Sequence, residues 1–378
     1  MQNWFPLGIA SGNAFCNRIN EREHLKHNIL HGIHTLIASP RRYGKTSLAQ
    51  QVMTELELPH ATMEFTLISD LPMTQNIMST TIGKLILELV PTHKKALLLA
   101  NKFFSKLNPK LTIDTQMGAK IEFAPDTKSP HLGIMDLLLQ IDQTADAANK
   151  RIILFMDEFQ QIALLDEHLT LEAAIRNAAQ RMKSTSIIFS GSHRHLLQLM
   201  FDDKSRPLYH LCDRINLQRI HEADYEKYIQ KVSHKHWHDS LSSDALESIM
   251  TLTHRHPYYV NVLCGRLYRD KHLPSSQSVQ SAWIDYINDE SDRIGKEIAR
   301  LSHYQKMMLL LLAIHPFSQP TSKEVVEKLH ISTSNAAKCH RFLLENDYIY
   351  QGADGDFRMT DPAMETYLSK RASMLMPR

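Results

Sequence analysis

The sequence predicts a three-layer α/β domain built on a parallel sheet, and three runs of residues carry that prediction. Thr35-Leu36-Ile37-Ala38, Ile152-Ile153-Leu154-Phe155-Met156 and Thr185-Ser186-Ile187-Ile188-Phe189-Ser190 lack the strict alternation of half-exposed strands, as expected of strands covered on both faces. Each run opens into residues suited to phosphate chemistry. Helical periodicity fills much of the chain between them, which gives the β–α alternation of a parallel sheet with helices on both faces.

The first run leads into Ser39-Pro40-Arg41-Arg42-Tyr43-Gly44-Lys45-Thr46 and then Ser47-Leu48-Ala49. That is a strand, a loop of phosphate size and a helix start. Backbone N–H groups of the loop Pro40 to Ser47, other than Pro40 itself, and of the helix N-terminus would face a β-phosphate, Lys45 would reach the β and γ oxygens, and the Thr46 hydroxyl would ligate Mg²⁺. Ser39 stands where a P-loop has its first Gly, while Gly44 keeps the position nearest the phosphates. Arg41 and Arg42 flank the loop and would tune its field or meet a partner. A basic surface loop that merely contains Gly-Lys-Thr is the bland alternative, and the second run argues against it.

That second run ends in Asp157-Glu158-Phe159-Gln160. Asp157 would hold the metal through water, and Glu158 would polarise the water attacking the γ-phosphate. Lys45 and Asp157 are expected to meet across neighbouring strands at the carboxyl edge of the sheet. The third run continues into Gly191-Ser192, so Ser192, or else Ser190, could sense the γ-phosphate or the water. Residues 61–67 read as a further strand, 74–106 and 132–147 as helical, and 111–123 as a hairpin turning near Gly118.

With these motifs in place the chain resembles the archaeal-type AAA+ ATPases, a branch of P-loop NTPases close to the signal-transduction (STAND) group. The resemblance extends over nearly the whole chain through Phe15-Cys16-Asn17-Arg18 with Glu21, the Pro-Arg-Arg-Tyr-Gly-Lys-Thr-Ser-Leu loop, Asp157-Glu158-Phe159-Gln160, Ser190-Gly191-Ser192 and His256-Pro257-Tyr258-Tyr259. It implies a three-layer AAA+ nucleotide-binding domain over 1–219, a helical lid over 220–300 and a winged-helix domain over 301–378. It also implies that 6–18 packs on adenine and that Pro257 reaches the nucleotide from the lid, although Arg255 replaces the family's Gly. Arg214 stands roughly where hexameric relatives carry an arginine finger, with Arg194 and Arg206 as rivals.

Periodic apolar residues from Tyr225 to Leu267 fit a helical bundle. Beyond it, apolar helices near 302–314, 322–329 and 332–343 precede a hairpin through Gly352-Ala353-Asp354-Gly355, the order of a winged helix. Ser334, Asn335, Lys338 and Arg341 are then the candidates to face DNA. The wing's Asp354 and Asp356 and a whole-chain net charge of +2 argue against extensive non-specific nucleic-acid binding.

A chain of 378 residues, 43% hydrophobic, can build two or three cores. Its four scattered cysteines predict a reducing compartment and no structural zinc, and its 22 histidines show no ligand spacing. The start lacks a basic leader and no run reaches membrane-spanning length, so the expected location is cytoplasmic. The combined expectation is a slow ATP-binding and ATP-hydrolysing regulatory switch that uses ATP and Mg²⁺ and acts on a protein partner, with oligomerisation open. Two alternatives stand beside it, a DNA-binding initiator or loader and a nucleotide-binding scaffold without turnover.

Overall fold

Continuous burial along a strand places it at the centre of a sheet, and alternating burial places it at an edge. In a computed structural model the described residues are all except 1–2, 91, 105–109, 115–117, 123–129, 166–168, 353 and 376–378. The strands are β1 (Thr35–Ala38), β2 (His60–Glu64), β3 (Lys110–Asp114), β4 (Gly118–Glu122), β5 (Ile152–Asp157), β6 (Thr185–Ser190) and β7 (Asp213–Asn216). Five of them form one sheet in the order β2-β5-β6-β1-β7, and every pair in it is parallel. All residues of β1 and β6 and the first five of β5 are buried. In the edge strand β2, Ala61 and Met63 are buried and their neighbours are exposed.

That order corrects one expectation. β1 and β5 are not neighbours, because β6 pairs with both. Buried along its whole length, β6 takes the middle of the sheet, where both faces are covered. The two phosphate-chemistry motifs meet at the carboxyl ends across this intervening strand.

The helix Lys45–Leu56 buries Leu48, Ala49, Val52 and Met53, an i, i+1, i+4, i+5 stripe toward the sheet. The region expected to be helical over 74–106 is two helices, Leu71–Leu89 and His93–Phe103, each capped by a side-chain oxygen, from Asp70 and from Thr92. β3 and β4 form the antiparallel hairpin, with Gly118 opening the second strand. Its Phe123 and the residues between the two strands lie outside the described residues. Gly83 allows the helix to approach this hairpin, since a Cβ there would stand 1.9 Å from the Ile121 carbonyl oxygen.

The chain divides into two compact units, Arg18–Leu217 around the five-stranded sheet and Met1–Asn17 with Gln218–Arg378. In the second, helices from Glu222–Trp237 to Pro362–Leu375 accompany the antiparallel pair β8 (Ile349–Gln351) and β9 (Phe357–Met359). One hydrophobic core runs from Tyr225 and Ile229 through Trp283 to Leu311, Leu343 and Met364. Tyr259 Oη donates to Asp361 at 2.5 Å and Trp283 Nε1 to Thr366 at 3.1 Å, tying 220–300 to 301–378. The N-terminal segment joins the same core: Phe5 is buried against Tyr228 and Tyr268, and the Pro6 carbonyl accepts from Asn261 at 2.8 Å.

Candidate functional site

The loop after β1 owes its shape to two residues with left-handed backbone, Arg42 at φ 65° and Gly44 at φ 92°. Glycine suits the second at no steric cost, whereas Arg42 holds a conformation that L side chains seldom adopt. Ser39 is not among the positive-φ residues, so replacing the usual Gly costs no backbone strain there. Its side chain is buried, and its hydroxyl donates to the Pro40 carbonyl at 3.2 Å. Pro40, Tyr43 and Ser47 are buried, while Arg41 and Arg42 are exposed.

Lys45 opens the helix that follows. It is 7% exposed, and its ammonium donates to the carbonyls of Ser39 and Pro40, each at 3.1 Å, which folds the side chain back across the loop. Arg18 ends the segment expected against adenine. The structure shows it buried at the foot of the loop, donating to the Tyr43 carbonyl at 3.2 Å and to Glu21 at 2.9 Å.

Across β6, Asp157 gathers three donors. Thr46 Oγ1 donates to its Oδ2 at 2.7 Å, Ser190 Oγ to its Oδ1 at 2.7 Å, and the Glu158 amide to Oδ1 at 3.0 Å. Thr46, Asp157 and Ser190 are thus a cluster of hard oxygen donors at the strand ends, the chemistry that Mg²⁺ prefers when its remaining ligands are water and phosphate. Among the described residues no group of three or more His, Cys, Asp or Glu is placed to hold a metal by itself.

Glu158 sits beside this cluster with φ 52°. Its Oε2 accepts from Gln160 Nε2 at 2.6 Å, from Ser192 Oγ at 2.7 Å and from the Ser192 amide at 3.3 Å. Burial pushes this carboxyl up. The donors from Gln160 and Ser192, with the nearby Lys45 charge, outweigh burial and hold it below the usual carboxylate range. An ionised carboxylate in a half-buried position can accept a hydrogen bond from a water molecule.

The other sequence candidates are placed differently. Arg214, on the edge strand β7, is bound through both terminal nitrogens to Asp202, at 2.9 and 2.6 Å. Arg206 pairs with the fully buried Glu172. Arg194 begins the helix Arg194–Asp202, two residues after Ser192. Pro257 belongs to the second unit, as the first residue of the helix Pro257–Leu267, behind His256, whose Nδ1 accepts from the Tyr258 amide at 3.3 Å. Of residues 6–18, expected against adenine, 6–17 belong to the second unit and Arg18 to the first.

No protein-family model matches the chain, and no curated protein sequence does. Solved structures do. The chain is similar to the Walker-type ATPase of Pyrococcus abyssi, with 17% identity and a TM-score of 0.64 over 97% of this chain and 99% of that one. It is also similar to the ORC2 protein of Aeropyrum pernix, solved in ADPNP–ADP complexes, with 12% identity and a TM-score of 0.56 over 95% of each chain. At such identities the likeness speaks for the fold alone, which the chain shares with both of these structures. Among the described residues no helix is long and apolar enough to cross a membrane.

Proposed function

We propose that the chain binds ATP with Mg²⁺ and hydrolyses it slowly, as a regulatory switch whose nucleotide state is read by a protein partner. One observation carries the proposal: Thr46 from the loop helix and Asp157 from β5 join at 2.7 Å beside Lys45 and an ionised Glu158. In this scheme the loop amides and Lys45 hold the β- and γ-phosphates. Thr46 and Asp157 would hold Mg²⁺, directly and through water, and the ion would neutralise charge on the phosphate oxygens. Glu158 accepts a hydrogen bond from the attacking water and draws off its proton as the oxygen approaches phosphorus. Ser192 acts through Glu158, which it orients with two hydrogen bonds.

Arg214, anchored by Asp202, would serve a second copy of the chain rather than its own phosphates. Pro257 is kept as a nucleotide contact of the helical region, and 1–219, 220–300 and 301–378 as the nucleotide-binding, lid and winged-helix domains. The shared core of the last two favours their moving together. A cytoplasmic location fits a nucleotide-driven switch whose four cysteines form no disulfide.

The test is phosphate release from ATP and Mg²⁺ by the parent protein and by Glu158→Gln, with and without duplex DNA. Turnover in the parent should fall by about a hundredfold or more in the variant, with ADP affinity changed less than about twofold. Normal turnover in Glu158→Gln removes Glu158 from its role, and tight ATP binding without turnover in the parent identifies a silent scaffold. A second reading, a DNA-binding initiator or loader, is favoured by Ser334, Asn335, Lys338 and Arg341, which are all exposed on the helix Thr333–Glu345. It predicts turnover that DNA stimulates.

A further inference from the structure

Gln160 is 2% exposed. A buried primary amide ordinarily satisfies both of its ends. Here Nε2 donates to Glu158 Oε2 at 2.6 Å, while Oε1 is buried with no hydrogen-bond partner among the described residues. An aliphatic side chain of the same length would avoid that unpaired carbonyl, so packing does not account for an amide at this place. What an aliphatic side chain cannot supply is the donor to Glu158.

The surroundings are shaped to hold the amide in this orientation. Gly191 lies against its carbonyl end, and a Cβ there would stand 1.8 Å from Gln160 Oε1 and 3.0 Å from its amide carbon. The left-handed turn at Glu158, closed by the Gln161 amide donating to the Glu158 carbonyl at 3.0 Å, brings side chains 158 and 160 together. Gln160 and Ser192 both address Oε2. No donor among the described residues reaches Oε1, which is left for a water.

We infer that Gln160 is a positioning residue for hydrolysis, which with Gly191 as its backing fixes one oxygen of Glu158 so that the other faces the attacking water. The inference rests on the role of Glu158 proposed above, and it extends that role to two residues that touch neither phosphate nor metal. Misplacing a catalytic group by about 1 Å can cost about a hundredfold in rate, so the effect belongs in kcat and not in nucleotide affinity.

The first measurement needs no turnover. In a ¹⁵N-labelled sample the Gln160 side-chain amide, assigned by its disappearance in Gln160→Leu, should be shifted downfield and protected from exchange, and Glu158→Gln should return it to the ordinary range. An amide at the ordinary position that Glu158→Gln does not move overturns the inference whether or not the protein hydrolyses ATP. The second measurement is kinetic. Gln160→Leu should lower kcat by about tenfold to a hundredfold with KM and ADP affinity within about twofold. Gly191→Ala should lower kcat similarly in the parent and add much less in the Gln160→Leu background, because the amide it displaces is already gone and only the close approach to Leu197 Cδ1, at 3.1 Å, remains. A folded Gln160→Leu protein with kcat within twofold of the parent, or additive losses in the double variant, also overturns it. A parent without ATPase activity but with the shifted amide defeats the hydrolytic function and leaves the Gln160–Glu158 contact standing.

Discussion

Two half-buried glutamates, one in each unit, respond to burial in opposite ways. Glu158, at the carboxyl edge of the sheet, is held below the usual carboxylate range although burial pushes it up, because three hydrogen bonds converge on one of its oxygens. Glu365, in the helix Pro362–Leu375, is pushed up to about 7 by burial, against the lowering influence of Arg219 and Arg358. No hydrogen-bond donor among the described residues reaches its carboxyl; the facing group is His254 Nδ1 at 3.6 Å. A carboxylate keeps its charge away from water only where donors are supplied. The sheet edge supplies them, and the helical unit, which does not, shifts its acid toward the neutral form.

If the sheet edge is organised around phosphate charge, the largest loss should follow removal of its buried cation. Lys45→Ala deletes the ammonium that now spans the loop carbonyls. Nucleotide affinity should drop by about 2–3 kcal/mol, on the order of a hundredfold, with little change in stability. Calorimetric titration with ADP and Mg²⁺ checks this, and unaltered affinity would sink the phosphate site altogether.

The other half of the comparison is tested at Glu365. Its folded pKa is raised, so its contribution to stability is present below about pH 4.3, the unfolded value, and is lost as pH rises through about 7. His254 runs the other way. Burial first, then Arg219 and Arg358, lower it to about 4, so its contribution is present above about 6.5 and lost as pH falls through 4. Asp361 adds a further upward influence on Glu365. Glu365→Gln keeps a neutral group at every pH. It should therefore stabilise the helical unit at pH 8 relative to pH 5 by about 1–2 kcal/mol, after discounting for partial exposure. All three tryptophans, Trp4, Trp237 and Trp283, lie in that unit, so their fluorescence in urea follows it selectively. An equal gain at both pH values would show that Glu365 is charged there, and the contrast with Glu158 would collapse.

How much of this was legible in the sequence follows from the range of the interactions involved. β1, β5 and β6 were readable because a strand covered on both faces has to be apolar almost throughout, and Lys45, Thr46, Asp157 and Glu158 because each abuts such a run. The position of β6 between β1 and β5 was not, since strand order depends on crossover paths that leave no local pattern. Arg18 at the foot of the loop and the Gln160–Gly191 pair were also missed as functional groups. Arg18 reaches Tyr43, 25 residues away, and Gly191 matters through an atom it lacks, which no residue spacing reveals. A buried Gln two positions after the acidic pair was the one available signal. The N-terminal segment was assigned by sequence order to the α/β part, whereas Phe5 finds its apolar partners, Tyr228 and Tyr268, more than two hundred residues later.

The smallest expected effect concerns the outer surface of the C-terminal helices, where charge is neutralised locally instead of gathered. Lys328 pairs with Glu324 at 2.7 Å, Lys323 with Glu327 at 3.7 Å, and Arg358 of β9 with Asp354. On the helix Thr333–Glu345, Lys338 and Arg341 are exposed and take part in no ion pair among the described residues. Two available cations can neutralise about two phosphates, which limits the slope of log affinity against log salt to about −2. Duplex DNA binding should thus be weak, and Lys338→Ala with Arg341→Ala should flatten the slope to near zero while leaving phosphate release within about twofold of the parent. Fluorescence anisotropy across a salt series decides it. A slope much steeper than −2 in the parent would mean that more of the molecule is built around phosphate than the sheet edge, and that the second unit shares the design of the first.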